Sequence, residues 1–380
     1  MLQLCVSQQI NAPPFTFKAT GIRVFSFEEA IYHVYYYWRE SVDDVLSDPM
    51  LTWITDLGLT YLAARMKELI KLDSFAERMV GFLRLIDYFD AEEITSLLAQ
   101  LNKWESRREW EQLKERGDYF LTRNQPDKAL PLYRRALQFD ENIPLLNNLA
   151  IALMRLSANA EAMRFLARAR TLEPENMSLV IHYSEAAILS GQFEKANTAI
   201  HKVATDQSTA DIPYLNGLMA FEKQDYPAAL SYFETASQQD ANVPLYIYKT
   251  ADTYLKMRQY ENALNILQQI HHHDEAYFTK QAEVYAAYGN VPAAVRAIRE
   301  ALRANESVNL WVRLAAYYRQ DYDLERANDA ITRALALDAE NDIARMENAR
   351  IKKGLGRTRE YQAELTDVLR GFKERYRELG

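Results

Sequence analysis

Small residues recur along the last two-thirds of this 380-residue chain at a nearly constant interval. Larger apolar residues stand four positions after each of them, and further small or apolar residues stand seven positions after. Offsets of four and seven lie on one face of an α-helix. The spacing therefore predicts seven copies of one helical unit. The recurring residues, separated by 33, 34, 33, 34, 31 and 33 positions, are Ala129, Ala162, Ala196, Ala229, Ala263, Ala294 and Ala327.

A second series of small residues lies twelve positions before these alanines. Turn residues such as Ser190-Gly191-Gln192 fall between the two series, and prolines follow some turns at Pro126, Pro227 and Pro292. Proline is accepted at the start of a helix because its missing N–H has no partner there. Each unit is thus predicted to be a pair of closely packed helices. The second series is Gly117, Ala150, Ser184, Gly217, Ala251, Ala282 and Ala315.

This pattern resembles the tetratricopeptide repeat. Gly217 with Phe233, the run Ala334-Leu335-Ala336-Leu337-Asp338 and the run Thr171-Leu172-Glu173-Pro174 are similar to the family's consensus. The resemblance covers about residues 107–376 and implies an all-α fold, a right-handed α-solenoid of helical hairpins.

The predicted organisation has three parts. Seven repeats occupy residues 106–341, and residues 342–380 form a degenerate eighth repeat with a C-terminal capping helix whose charged face would end the array. Residues 1–105 lack the register and are predicted to form a small helical domain, which resembles no family that we know. Its first 25 residues are predicted to form a short hairpin or an extended arm.

Within the N-terminal region, Ser26 and Glu29 form a capping box that predicts a helix start. The apolar stripe of that helix extends to Val45, and another helix is predicted over 50–71. No helix breaker occurs between Trp104 and Trp110, so a continuous helix is expected to join this region to the repeats.

Composition excludes several classes of protein. A net charge of −8 does not favour nucleic acid, whose phosphates require a basic surface. The sequence contains no run of about 18 apolar residues, the length that a membrane-spanning helix requires. The single cysteine, Cys5, provides neither a disulfide framework nor a thiolate zinc site, and the first residues do not resemble a signal peptide. A cytoplasmic location is therefore expected.

No motif in the sequence predicts catalysis. Glycine-rich phosphate loops, His-Glu-x-x-His and nucleophile elbows are missing, so we predict that the chain is not an enzyme and takes no cofactor. The run His271-His272-His273 could bind zinc or nickel adventitiously. It falls in a predicted turn, and three consecutive side chains point in different directions, so no functional metal site is predicted.

The resemblance implies where a partner would bind. In this family, partners lie along a concave groove formed by the first helix of each repeat. Glu185, Glu222, Asp252 and Glu283 accompany apolar residues there, which predicts a protein or peptide segment with apolar and basic side chains. The predicted groove consists of Asn147, Ile151, Met154, Ile181, Glu185, Ile188, Tyr214, Leu218, Phe221, Tyr248, Asp252 and Leu255.

Some family members grip a terminal carboxylate with a clamp of Lys, Asn, Asn, Lys and Arg. Lys114 and Asn148 match two of these positions, whereas Asp118, Ser178 and His182 occupy the others. The chain is therefore not predicted to be a clamp protein.

Two functions remain open at this point. The chain is interpreted as a protein-binding scaffold or adaptor. Alternatively, its layout resembles that of bacterial peptide-sensing regulators, in which an N-terminal helical domain acts on a partner. The apolar groove could also pack against a capping helix or a second subunit, as in a homodimer.

Overall fold

A computed structural model describes residues 13–203, 209–339 and 341–379. Cys5 and the first half of the predicted N-terminal arm lie outside the described residues, as do the side chains of residues 371–379. The chain divides into two compact units, Met1–Leu172 and Glu173–Gly380. The boundary predicted at residue 105 falls inside the first unit and stays a prediction.

The first unit contains a strand pair, six helices and two helical hairpins. Strands β1 and β2 are antiparallel, with Phe15 opposite Val24. The hairpins are α7 with α8 and α9 with α10. The elements are β1 (Phe15–Thr16), β2 (Arg23–Val24), α1 (Phe27–Tyr36), α2 (Trp38–Ser41), α3 (Asp48–Asp56), α4 (Thr60–Leu69), α5 (Phe75–Leu83), α6 (Ala91–Glu105), α7 (Glu109–Thr122), α8 (Pro126–Ala136), α9 (Ile143–Arg155) and α10 (Asn159–Leu172).

The second unit consists of six further hairpins, each formed by two successive helices. The predicted all-α class is confirmed, because the described strands are only the two short ones above. The helices are α11 (Met177–Leu189), α12 (Phe193–Val203), α13 (Asp211–Glu222), α14 (Tyr226–Gln239), α15 (Pro244–Lys256), α16 (Tyr260–Leu267), α17 (Glu275–Ala287), α18 (Val291–Ala304), α19 (Val308–Gln320), α20 (Leu324–Leu337), α21 (Asp342–Gly354) and α22 (Thr358–Leu379).

The N-terminal helices are shorter than the sequence predicts. The helix predicted to reach Val45 ends at Tyr36, because the non-helical backbone of Tyr37 (φ −124°, ψ 41°) redirects the chain so that Trp38 is buried against Trp104. The single helix predicted over 50–71 is also wrong. It is interrupted at Gly58, whose φ of 80° is left-handed.

The predicted continuous helix between the N-terminal region and the repeats is wrong as well. Helix α6 ends at Glu105 and α7 begins at Glu109. The side-chain amide of Gln112 donates hydrogen bonds to the carbonyls of Glu105 (3.2 Å) and Arg107 (2.9 Å). These bonds satisfy backbone acceptors that a helix end leaves without an intrahelical partner, so the break is stabilised locally.

A buried arginine also fastens α7 to the N-terminal helices. The Arg116 guanidinium lies 2.5 Å from Asp43 Oδ2 and donates to the Arg39 carbonyl at 3.1 Å. The Arg39 side chain in turn pairs with Glu115 at 3.2 Å. The N-terminal helices and the first hairpin are therefore linked by charged contacts as well as by the α6–α7 turn.

Every hairpin in the described part turns through one left-handed residue. In each case the next residue donates its N–H to the carbonyl five positions back, as Gln125 does to Phe120 at 2.9 Å. This is the Schellman arrangement of a helix end. The first seven turn residues each lie five positions before a repeat alanine, which confirms the register. In the eighth hairpin, Tyr361 stands at the position of the alanine. The turn residues are Asn124, Ser157, Gly191, Gln224, Arg258, Gly289, Tyr322 and Gly356.

Replacing Tyr322 by glycine is expected to stabilise the second unit by about 0.5 kcal/mol. A side chain in the left-handed region costs about 1–2 kcal/mol, which exceeds the entropy that glycine adds to the unfolded chain. Tyr322 is 90% exposed and loses little packing. Urea titration of Tyr322→Gly would measure the gain. Gly289→Ala, with open space around the added methyl, is expected to lose about 1 kcal/mol. If Tyr322→Gly lowered the free energy of unfolding as much as Gly289→Ala does, the left-handed conformation of Tyr322 would be contradicted.

Close helix contacts occur where the two series of small residues predict them. A methyl group added to Gly117 would lie 2.5 Å from the Tyr133 ring, and one added to Gly217 would lie 2.6 Å from the Phe233 ring. Both rings are fully buried. Paired glycine and aromatic residues thus set how closely the two helices of a hairpin approach.

Candidate functional site

The first helices of successive hairpins in the second unit bring predicted groove residues together. The Tyr214 hydroxyl on α13 donates to Glu185 Oε1 on α11 at 2.9 Å. The Tyr214 ring lies 5.5 Å from that of Tyr246 on α15, and Lys280 Nζ on α17 lies 2.6 Å from Asp252 Oδ1 on α15. Side chains of α11, α13, α15 and α17 therefore form one connected row.

The structure corrects the groove at three of these positions. Ile188, Tyr214 and Leu218 are buried inside the unit and present almost no surface to a partner. The helical period predicts on which face of a helix a side chain lies, but it does not predict how much of that side chain neighbouring residues bury. The Tyr214 ring packs between Phe233 and Tyr246, and its hydroxyl is already bonded to Glu185.

The remaining predicted residues of the second unit are half-buried, and we call them the first-helix surface. Tyr248 and Leu255 pack on a core cluster that includes Ile247 and Leu267, and each leaves part of its side chain accessible. Phe221 makes an edge contact with Tyr226, at a ring separation of 5.7 Å. The first-helix surface consists of Ile181, Glu185, Phe221, Tyr248, Asp252 and Leu255.

The carboxylates of this surface are matched by groups of the chain itself. Burial raises the pKa of Glu185 even though Tyr214 donates to it. The pKa of Tyr214 is likewise raised, by burial and then by the Glu185 charge. Burial alone would lower the pKa of Lys280, but the carboxylates of Asp252 and Glu283 offset this, and the pKa lies above its ordinary value. Asp252 is therefore paired with Lys280, which it shares with Glu283.

Lys280 does not belong to the groove predicted from the sequence, although it lies beside Asp252 of that groove. Lys280 stands three residues before Glu283, and its Nζ lies 2.9 Å from that carboxylate. A lysine three residues from a glutamate on one helix is a recognisable local pair. The contact with Asp252 requires the neighbouring helix and leaves no local signal.

The other predicted groove residues lie in the first unit. Asn147, Ile151 and Met154 are half-buried on α9. The two clamp-like residues nearby are occupied within the unit, since Lys114 Nζ contacts Asp118 Oδ2 and Asn148 Nδ2 donates to Asp118 Oδ1, at 2.7 and 2.8 Å. The Asp118 carboxylate thus lies where a bound terminal carboxylate would be needed.

The histidine run lies in the turn before α17. Asp274 accepts from the Tyr277 N–H as the helix cap, and the His273 ring stacks on Tyr277 at 4.0 Å. Within the described residues, no three His, Cys, Asp or Glu side chains converge as metal ligands would. None of the described helices combines the length and apolar character that crossing a membrane requires.

Residues 114–176 match the family model described as a tetratricopeptide repeat. This match confirms the tetratricopeptide resemblance for residues 114–176, and the remaining hairpins repeat the same helix pair and the same turn. The curated "BBSome complex member BBS4" of Bos taurus is 28% identical over 154 residues, which cover 40% of this chain and 30% of that protein. The chain thus aligns with less than a third of that relative.

The solved structure of yeast Tom70 shows the same fold over most of the chain. Yeast Tom70 is 15% identical, with a TM-score of 0.52, and the match covers 90% of this chain and 84% of that one. A tetratricopeptide repeat protein from Parabacteroides merdae is 18% identical, with a TM-score of 0.42, over 64% of this chain and 98% of that one.

Proposed function

We propose that this chain is a non-catalytic scaffold that binds a segment of a partner protein on the first-helix surface. The supporting observation is that α11, α13 and α15 are joined in one row by contacts between their side chains. Ile181, Phe221 and Leu255 on these helices remain partly accessible. A rigid support with accessible apolar side chains is what a peptide-binding surface requires. The name of the BBS4 relative, a complex member, agrees with this class of function.

The proposed segment is held mainly by apolar contacts. Aromatic and aliphatic anchors such as Phe221, Tyr248 and Leu255 supply contact area, and aromatic rings are frequent at binding hot spots. A preference for basic side chains rests on Glu222, which is exposed at the end of α13, because Asp252 is already paired with Lys280. The contribution of charge is therefore smaller than the sequence alone indicates.

Loss of Phe221 and Leu255 is expected to abolish partner capture. The variant Phe221→Ala/Leu255→Ala removes two anchors that are only half-buried, so the repeats should stay folded. The protein would be used in affinity capture from its native cells, with bound proteins quantified by mass spectrometry. We expect partners specific to wild type to fall at least tenfold.

Tyr322→Ala is the matched control, since it removes an exposed ring at a hairpin turn of the same unit. It should retain the full set of partners. Tyr214→Ala is unsuitable, because Tyr214 is buried and its loss would unfold the site. Undiminished capture by a folded Phe221→Ala/Leu255→Ala variant would contradict the proposal.

A further inference from the structure

A cluster of aromatic rings lies on the N-terminal helices, apart from the repeats. The ring of Tyr35 stacks on Phe89 with a centroid separation of 3.9 Å, and Tyr36 lies 6.2 Å from Phe89. Tyr32 lies 4.5 Å from Tyr36, and Tyr88 lies 4.9 Å from Phe89. We call these five residues of α1 and the α5–α6 loop the aromatic patch.

The outer rings of the aromatic patch are open to solvent. Tyr32 is 45% exposed, Tyr36 52% and Tyr88 37%, whereas Tyr35 and Phe89 are half-buried beneath them. Aromatic rings that only stabilise a core are normally covered, and an exposed group of them often marks an interaction site. The stacked rings of Tyr35 and Phe89 hold the α5–α6 loop on α1, whereas Tyr32 and Tyr36 expose ring surface that could contact a ligand.

The two segments that form the aromatic patch carry acidic but not basic residues. Residues 24–38 and 85–102 contain no lysine or arginine, and the basic residues that flank them are Arg23, Arg39, Arg84 and Lys103. His33 is buried, and burial lowers its pKa to about 4, so it is neutral at physiological pH. The carboxylates in these segments are Glu28, Glu29, Asp87, Asp90, Glu92 and Glu93.

Two of these carboxylates lie close to the rings. Burial raises the pKa of Tyr35, and the next largest cause is the charge of Glu93, followed by Tyr36 and Asp90. Asp90 and Glu93 are fixed at the start of α6 by their capping box, with N–H···O distances of 2.8 and 2.9 Å. These two carboxylates therefore lie at fixed positions close enough to influence the Tyr35 hydroxyl.

We propose that the aromatic patch is a second binding surface, which takes arginine side chains of a basic protein segment. A cation is attracted to the face of an aromatic ring, and carboxylates nearby add to the attraction. Arginine fits better than lysine, because its planar guanidinium stacks on a ring while its N–H groups reach a carboxylate. An acidic segment would be repelled by Asp90 and Glu93.

Binding of a defined peptide tests the proposal. The probe is a fluorescent peptide of alternating arginine and glycine, titrated with the full chain at low salt and followed by anisotropy. The variant Tyr32→Leu/Tyr36→Leu keeps apolar side chains at both positions and removes the two exposed ring faces. We expect its affinity to be roughly tenfold weaker than that of wild type.

The matched control is Tyr61→Leu, which removes a ring that is 71% exposed on α4 of the same region. All three proteins have the same net charge, so non-specific attraction of a basic peptide is equal among them. The control should bind within about twofold of wild type. A peptide with citrulline in place of arginine keeps the shape without the charge and should not bind.

The proposal would be overturned by absence of binding by wild type, by equal binding of Tyr32→Leu/Tyr36→Leu, or by equal binding of the citrulline peptide. Loss of binding in Phe221→Ala/Leu255→Ala instead would place the peptide on the first-helix surface and would equally overturn it. Thermal unfolding of each variant, expected to match wild type, separates lost binding from lost structure.

Discussion

Replacing Ala229 by phenylalanine is expected to lower the free energy of unfolding of the second unit by about 3 kcal/mol or more. Ala229 is fully buried on α14, in a hairpin where Gly217 of α13 packs closely on the Phe233 ring of α14. Because even a methyl group added to Gly217 would lie 2.6 Å from the Phe233 ring, a phenyl group at Ala229 cannot be accommodated without displacing a helix. Overpacking of this kind costs about 1–3 kcal/mol in ordinary cores, and here the backbone spacing itself is fixed.

Glu222→Phe is the matched control for this substitution. It adds the same ring to the same hairpin at an exposed position, so it should change stability by no more than about 0.5 kcal/mol. Urea denaturation followed by circular dichroism would measure both. Because each hairpin stacks only on its neighbours, Ala229→Phe should also broaden the transition. A similar midpoint for the two variants would mean that the alanine register is misassigned.

Stability of the first unit is expected to fall by roughly 3 kcal/mol between pH 7 and pH 4 through His33 alone. His33 is buried between the Phe17 and Tyr37 rings, and burial lowers its pKa to about 4. The unfolded chain, with an ordinary histidine pKa near 6.5, binds the proton more readily. The stabilisation is therefore complete above pH 6.5 and is lost as the pH falls from 6.5 towards 4.

His33→Leu isolates this contribution, because leucine stays neutral at every pH. Other groups contribute to the pH dependence, among them Asp44, whose pKa is raised by burial and whose effect has the opposite sign. The quantity to measure is thus the difference between wild type and His33→Leu, from urea titrations monitored by tryptophan fluorescence. A difference that does not vary with pH would show that His33 is protonated equally in both states.

The repeats were predictable because their information is local and periodic. Seven of the eight left-handed turn residues lie five positions before a repeat alanine, so the alanine spacing reports where those turns fall. The N-terminal breaks were not predictable in this way. Tyr37 leaves the helical conformation so that Trp38 can reach Trp104, a residue 66 positions away, and no local pattern reports such a contact.

The sequence predicts the helix face on which each residue of the candidate surface lies, but not how accessible its side chain is. Helical period placed Glu185, Tyr214 and Asp252 on one side of the first helices, and the structure joins Glu185 to Tyr214 there. Whether a side chain is covered depends on the neighbouring hairpin. Tyr246 covers Tyr214, and Lys280 pairs with Asp252. Tyr246 and Lys280 each belong to the next hairpin along the chain.

The locality of contacts in the second unit has a consequence for how the chain is made. Its helices pack on the next helix or the next but one, so a hairpin completes its contacts once the following hairpin exists. Ribosomes add about 5–20 residues per second, so successive hairpins emerge some seconds apart, whereas helices and short loops form within microseconds. Each hairpin can therefore fold against its predecessor while translation of the next is still under way.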